Sequence, residues 1–273
     1  MRRSPPRDQN RPDQGRPSGP SARRGGGHQP RGPEGGTWLY GVHPVAAALA
    51  NPARRLRRLL LTEDAEAAVA AQHPQPWRIA VERVERARFA GMFPEDAVHQ
   101  GAALLVEPLA DLDLDTALEH AEGPILVLDQ VTDPRNVGAI LRSAAAFGAA
   151  ALVMQDRHAP PETGSLARAA SGALELVPVV RVVNLARALD ELKEANCWVV
   201  GLAADAPVTL AQVQRGLSGR RCALVPGAEG EGMRRLTREH CDELARLPIA
   251  SRMESLNVSA AAAVALYELV REP

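Results

Sequence analysis

From Pro124 onward, short continuous apolar runs alternate with segments whose apolar residues recur at helical spacing. "ILVLDQV", "AALVM", "LVPVVRV", "CWVVGLA", "CALVPG" and "LPIA" read as strands. "DPRNVGAILRSAAAFG", "ETGSLARAASGAL", "NLARALDELKEAN", "TREHCDELARL" and the small-residue stretch that opens at Asn257 read as helices. Uninterrupted apolar strands alternating with helices predict an α/β fold whose parallel sheet is covered on both faces. The punctuation is clearest around the first helix. Asp133 suits the N-cap, Pro134 the first turn and Gly148 the stop.

The front half has the same grammar in a smaller unit. "WLYGVHPVAAALA" reads as a strand, a turn and a helix, and "ARRLRRLLLTE" as a basic stretch leading into a strand. "EAAVAAQ" gives another helix, "WRIAVERV" a strand, and "GAALLVEP" a buried strand after the turn at "HQG". "LADLDLDTALEHAEG" reads as an acidic linker, part of it helical. The expected organisation is a tail over 1–36, a small α/β domain over 37–108, a linker over 109–122 and a larger α/β domain over 123–273.

Composition changes this picture mainly at the amino end. The chain of 273 residues has a formal net charge of -1, but its first 36 residues carry eight arginines against three acidic residues. Such an Arg/Gly/Pro-rich segment cannot bury enough apolar surface to fold and is expected to be disordered. It can attract phosphates without sequence preference, or simply keep the chain in solution. It lacks the apolar core of a secretory signal. No apolar run is long enough to span a bilayer, and Cys197, Cys222 and Cys241 show no metal or redox spacing. The expectation is a cytoplasmic protein with no membrane segment and no metal.

Open parallel sheets bind ligands beyond the carboxyl ends of their strands. Three polar loops lie there: "TDPRNVG", "PGAEGEGM" and "ASRMESLN". "GAEGEG" fails the dinucleotide and phosphate-loop templates, because its spacing is wrong and its glutamates would repel phosphate. Its glycines serve either a close backbone approach to a ligand or a flexible turn. Asn136 and Arg142 on the first helix each have an ordinary alternative, a local cap and a solvated cation. In "ESLNVSAAAAVALYELV", Ser255 or Asn257 would suffice as a helix cap, yet Glu254, Ser255 and Asn257 crowd around Leu256. His43, His99 and His158 follow no metal-type pattern, and Ser255 has no sequence-local base.

Taken together, "DQVTDPRNVGAILRSAAAFG", "LVPGAEGEGMRRLTREHCDEL" and "LPIASRMESLNVSAAAAVALYE" resemble the three motifs of the SpoU branch of the SPOUT RNA methyltransferases. "GVHPV" and "VHQGA" in the front unit narrow the likeness to the bacterial enzymes that methylate a guanosine ribose in 23S ribosomal RNA. The resemblance runs from Trp38 to the carboxyl terminus. It implies a SPOUT domain with a deep trefoil knot, preceded by an L30e-like RNA-binding domain, and a homodimer. It implies S-adenosylmethionine as cofactor, contacted by Gly227, Leu247 and Leu256. It places Asn136, Arg142, Glu229, Ser255 and Asn257 in the catalytic surround.

The implied reaction is 2′-O-methylation of a guanosine in 23S ribosomal RNA near the peptidyl-transferase centre. Transfer RNA is the alternative substrate, and a knotted RNA-binding or ribosome-assembly factor without catalysis is the alternative of another class. "NPARRLRRLLL" offers phosphate contacts or a solvated basic face. With aromatics at 3% of residues, recognition by shape and phosphate placement is expected over base stacking. Two positions depart from the family pattern: Ser251 stands where Gly is common, and Pro226 where a larger apolar residue is usual.

Overall fold

The computed structural model describes residues 36–271 apart from 96, 228–231, 251 and 254; the side chains of His120 and His158 are likewise outside it. The Arg-rich tail, Glu229 with the rest of the "AEGE" step, Ser251 and Glu254 therefore lie outside the described residues.

Two sheets organise the chain. The first has strand order β1-β4-β2-β3 and is built from β1 (Thr37–Tyr40), β2 (Leu56–Leu61), β3 (Val81–Arg83) and β4 (Ala102–Val106). Strand β4 runs antiparallel to both β1 and β2, and β3 is parallel to β2. Helices α1 (Val42–Ala50) and α2 (Glu63–Gln72) complete this unit, the latter capped by Thr62 accepting from the Ala65 amide. The "WRIAVERV" strand is shorter than expected, because only Val81–Arg83 pair with β2. A helical turn, α3 (Leu114–His120), capped by Asp113, leads out of the unit.

The second sheet contains seven strands in the order β7-β6-β5-β10-β8-β11-β9, parallel at every pairing. Its strands are β5 (Ile125–Leu128), β6 (Ala151–Gln155), β7 (Val179–Val182), β8 (Cys197–Leu202), β9 (Val208–Thr209), β10 (Arg221–Val225) and β11 (Glu243–Arg246). Between them run α4 (Pro134–Ala146), α5 (Gly164–Ala170), α6 (Leu185–Glu194), α7 (Leu210–Gly216) and α8 (Arg235–Glu239), and α9 (Val258–Val270) closes the chain. One face buries Leu126, Leu128, Leu152 and Leu224 with Ile140, Leu141, Ala262 and Leu266 of α4 and α9. The other buries Val127, Val153, Val199 and Ala223 with Leu185, Leu189 and Leu192 of α6. Each sheet face thus takes alternate residues of the same strands, the period of two expected for strands covered on both sides. The α/β class and the parallel sheet expected from the pattern are both present.

Helix α4 starts as its sequence predicts. Asp133 accepts from the Arg135 amide at 2.9 Å, Pro134 occupies the first turn, and Gly148 follows the end with φ +65°. The carboxyl part of the sheet departs from expectation. "TREHCDELARL" is helical only over Arg235–Glu239, and Glu243–Arg246 form strand β11 instead. The reason is tertiary: Asp242 takes the Val199 amide on its side chain at 2.9 Å, which draws the following residues alongside β8. "LPIA" is irregular, since the strand ends before it. Strand β9 and helix α7 were not expected, although Thr209 and Gln212 form a reciprocal capping box at the start of α7.

The two sheets meet along α5. At Gly164 a Cβ would lie 2.4 Å from the Trp38 carbonyl oxygen and 2.5 Å from the Tyr40 ring, so only glycine allows this approach of α5 to β1. Beneath that contact Arg54 is buried to 1% exposure. Its guanidinium reaches Glu175 at 2.6 Å and Glu162 at 2.5 Å, and donates to the Glu107 carbonyl at 2.9 Å. Asn51 donates to the second Glu175 oxygen at 2.7 Å, and the Leu109 amide to Glu162 at 3.3 Å. The basic stretch "NPARRLRRLLL", read as phosphate contacts or a solvated basic face, is largely engaged within the protein. Arg54 is internal, Arg55 and Arg57 pair with Glu107, and Arg58 pairs with Glu82.

The three cysteines are free. Burial pushes the thiols of Cys222 and Cys241 up to about 12, as inert small core residues require. Among the described residues no helix is long and apolar enough to cross a membrane, and no cluster of metal-type ligands occurs.

Candidate active site

The three polar loops extend beyond the carboxyl ends of β5, β10 and β11. In the first, the Asp133-Pro134 start of α4 holds Asn136 in the opening turn, half-buried. In the last, Asn257 is the N-cap of α9 and accepts from the Ser259 amide at 2.9 Å. The two asparagines meet: Asn257 Nδ2 donates to Asn136 Oδ1 at 3.1 Å. Between β5 and β11 the sheet holds β10 and β8. Asn257 therefore lies on the β5 side of the sheet, away from β11. Gly227 follows β10 at the same edge, two residues past its end.

Gly227 is where the middle loop closes on itself. A Cβ here would sit 2.7 Å from the Met233 amide nitrogen and 2.8 Å from the Gly232 carbonyl carbon. Backbone meets backbone, so the glycine is obligatory for the observed closure. Pro226 before it is buried at the strand end, where its missing amide is tolerated. Leu247 is half-buried against the main core, while Leu256, Ile249 and Met253 keep 38%, 37% and 61% of their surface exposed.

Arg142 stands exposed on α4, six residues after Asn136, with no carboxylate partner among the described residues. Ser255 is exposed beside Leu256. Of the eight residues expected at the site, Asn136 and Asn257 are in direct contact. Gly227, Leu247, Leu256 and Ser255 fall in the loops at the same edge. Arg142 shares the helix of Asn136, and Glu229 lies outside the described residues.

One arrangement escaped the sequence reading. Asp129, the residue after β5, is fully buried and accepts from Arg234 twice: from Nε at 2.7 Å and from the backbone amide at 3.0 Å. Arg234 Nη2 also donates to Gln155, the last residue of β6, at 3.1 Å. In the sequence Arg234 is indistinguishable from the neighbouring Arg235, which pairs with Glu239 on its own helix. A cavity of about 690 Å³ opens at the amino ends of β5, β8 and β10, between Pro124, Asn196, Arg220 and Leu269. It is on the opposite edge from these loops and contains none of the expected site residues.

The parallel sheet carries its polar loops at one edge, where Asn136 and Asn257 meet, and comparison with known proteins identifies the class. Residues 123–267 match the SpoU rRNA Methylase family, and residues 38–112 match the RNA 2′-O ribose methyltransferase substrate binding family. The chain belongs to the SpoU rRNA methylase family.

Among individual proteins it is similar to the 23S rRNA (guanosine-2′-O-)-methyltransferase RlmB of Pasteurella multocida. The two are 44% identical over 242 residues, covering 86% of this chain and 97% of that protein. RlmB of Escherichia coli K12 is 40% identical over 240 residues, covering 86% and 98%. In fold the chain is similar to the SpoU methyltransferase AviRb of Streptomyces viridochromogenes, solved with AdoMet. The TM-score is 0.72 at 24% identity, over 86% of this chain and 89% of that one.

Proposed function

We propose that this protein transfers the methyl group of S-adenosylmethionine to the ribose 2′-hydroxyl of a guanosine in 23S ribosomal RNA, near the peptidyl-transferase centre. The observation that carries the reading is the Asn136–Asn257 contact, which joins the first and last polar loops at the edge where Gly227 follows β10, with Arg142 exposed on the helix of Asn136. Similarity to the RlmB proteins along both units, at 40–44% identity, supports the same substrate. Transfer RNA is the less favoured substrate, since the 23S-directed relatives align with this chain over nearly their whole length, front unit included.

The residues at the edge fit the cofactor. An adenosine with an apolar sulfonium chain needs a dry slot and a few backbone hydrogen bonds. The closed backbone at Gly227 and the uncovered Leu256, with Leu247 behind, offer both. When bound, the cofactor supplies a methyl already activated by its positive sulfur. What remains for the protein is to orient the 2′-hydroxyl in line and to manage its proton.

Arg142, exposed on α4, is the residue we assign to the substrate side. A guanidinium keeps its proton under these conditions, so it serves as a fixed cation and not as a base on its own. We assign it to grip the RNA phosphate next to the target ribose and to stabilise the developing alkoxide, with that phosphate assisting proton removal. Asn136 and Asn257 orient one another, and their amides face the approaching ribose with Ser255. Glu229 completes the set as the resemblance implies.

The same reading includes a homodimer and a knotted path. Helix α9 leaves Val264, Tyr267 and Val270 at 41–55% exposure, with Phe147 of α4 against Tyr267 at 6.0 Å between ring centroids. An apolar face of that kind fits a second copy of the chain. The return of the chain from β11 to the Asn136–Asn257 contact is where it would thread. The decisive experiment incubates the protein with S-adenosylmethionine and unmodified 23S or transfer RNA, then maps ribose methylation. Methylation at one 23S guanosine supports the proposal. Methylated transfer RNA alone moves the substrate, and binding of both ligands without methylation leaves an assembly factor.

A further inference from the structure

We infer that Arg234 is a positioning residue that locks the cofactor-side loop to the substrate-side loop, through Asp129 and Gln155. The inference rests on the proposed cofactor but concerns residues outside the expected site.

The geometry is specific to this arginine. Asp129 follows β5 directly and opens the segment that leads to Asp133, Asn136 and Arg142. Arg234 ends the loop that begins at Gly227 and precedes α8. Its amide and its Nε occupy the two oxygens of Asp129, and Nη2 reaches Gln155 at the end of β6. Gln155 in turn donates to the Val183 carbonyl beyond β7 at 3.3 Å. One guanidinium thus connects the carboxyl ends of β5 and β6 to the loop leaving β10.

A buried carboxylate needs a partner, since an unpaired charge away from water is strongly disfavoured. Asp129 is fully buried, and the partner it takes comes from the loop rather than from the sheet. The Arg234 backbone amide is one of its two donors, so the loop's main chain is held as well as its side chain. Gly227 and Met233, at the loop's two ends, are in backbone contact. Anchoring Arg234 therefore fixes the height of Gly227 relative to the α4 start. Preorganisation of this kind lowers the ordering cost that a ligand would otherwise meet.

The expected signature is weaker cofactor binding with little loss of the chemical step. Arg234→Ala should raise the dissociation constant for S-adenosylmethionine by about tenfold or more, the scale of a charge-assisted hydrogen bond. KM for the cofactor should rise in parallel while kcat stays within about threefold. Arg234→Lys keeps the charge but not the fork and should recover part of the affinity. Gln155→Ala removes only the third anchor and should give a smaller rise. Arg235→Ala is the control and should bind as the parent does. Calorimetry on the full chain measures binding without turnover. Hydrogen exchange at the Gly227, Gly232 and Met233 amides in the absence of cofactor should speed up in Arg234→Ala and not in Arg235→Ala.

Unchanged affinity in both Arg234→Lys and Gln155→Ala, or a loss confined to kcat, overturns the inference. Should Arg234→Ala not fold, those two variants decide alone. A parent protein that binds no S-adenosylmethionine would instead overturn the proposed function, with the exchange comparison still reporting on the lock.

Discussion

Replacing Arg54 by methionine tests the junction between the two sheets. The substitution keeps length and apolar volume but removes the cation. Glu175, whose side chain is 2% exposed, would keep one donor, Asn51. Glu162, 14% exposed, would keep the Leu109 amide at 3.3 Å. Two carboxylates would then face one another in a largely buried site. Removing one partner of such a buried set costs about 3–5 kcal/mol, whereas replacing the whole set by matched uncharged residues is often neutral.

A loss of 3–5 kcal/mol in a chain of this size lowers Tm by roughly 6–20 °C. The triple variant Arg54→Met, Glu162→Gln, Glu175→Leu should recover most of it. Burial, against the attraction of Arg54, already raises the Glu162 carboxyl above its ordinary range, so the single variant should also be more stable at low pH than at neutral pH. The sign follows from the folded state holding that proton more tightly than the unfolded chain, so stability falls as pH rises through the window. Urea unfolding followed by tryptophan fluorescence measures it, with Trp38 and Trp77 in the front unit and Trp198 in the larger sheet. A single-variant cost below about 1 kcal/mol, or a triple variant as unstable as the single one, refutes the argument from buried charge.

Other predictions concern the site. Arg142→Ala should abolish methyl transfer while leaving S-adenosylmethionine affinity nearly intact, since the side chain is exposed and has no carboxylate partner among the described residues; loss of folding instead would make it structural. Gly227→Ala forces a Cβ to within 2.7 Å of the Met233 nitrogen and should cost about 1–3 kcal/mol of loop stability, read as weakened cofactor binding in calorimetry. Burial, helped by the charge of Arg86, holds the His99 imidazole below the ordinary histidine range. The unfolded chain then takes up that proton first, so stability should rise with pH across the interval from the lowered value to the ordinary one and level off above it. An NMR titration of His99 reaching its midpoint at or above the ordinary value would contradict this.

What could be read in the sequence was whatever had local causes. Asp133, Pro134 and Gly148 punctuate α4 so plainly that its limits needed no tertiary information. The three loops at one edge follow from apolar strands preceding helices, and Asn257 was visible as a cap before its contact with Asn136 was. Strand β11 was hidden because its pairing depends on Asp242 reaching β8, more than forty residues back. Helix α7 was legible in Thr209 and Gln212 and was overlooked. Arg54 and Arg234 were beyond reach for a different reason. Each stands beside another arginine, and only carboxylates about a hundred residues away distinguish the buried one from its neighbour.

The placement of α5 has a consequence for modular engineering. By chain order Glu162, Gly164 and Glu175 belong to the larger sheet, yet their contacts are with Arg54, Trp38 and Tyr40 of the smaller one. A cut in the segment between the two sheets would separate an arginine from both its counterions and strip cover from β1. Chimeras that exchange front units between such enzymes to redirect RNA choice should therefore carry those three α5-side residues with the donor, or the graft will not seat.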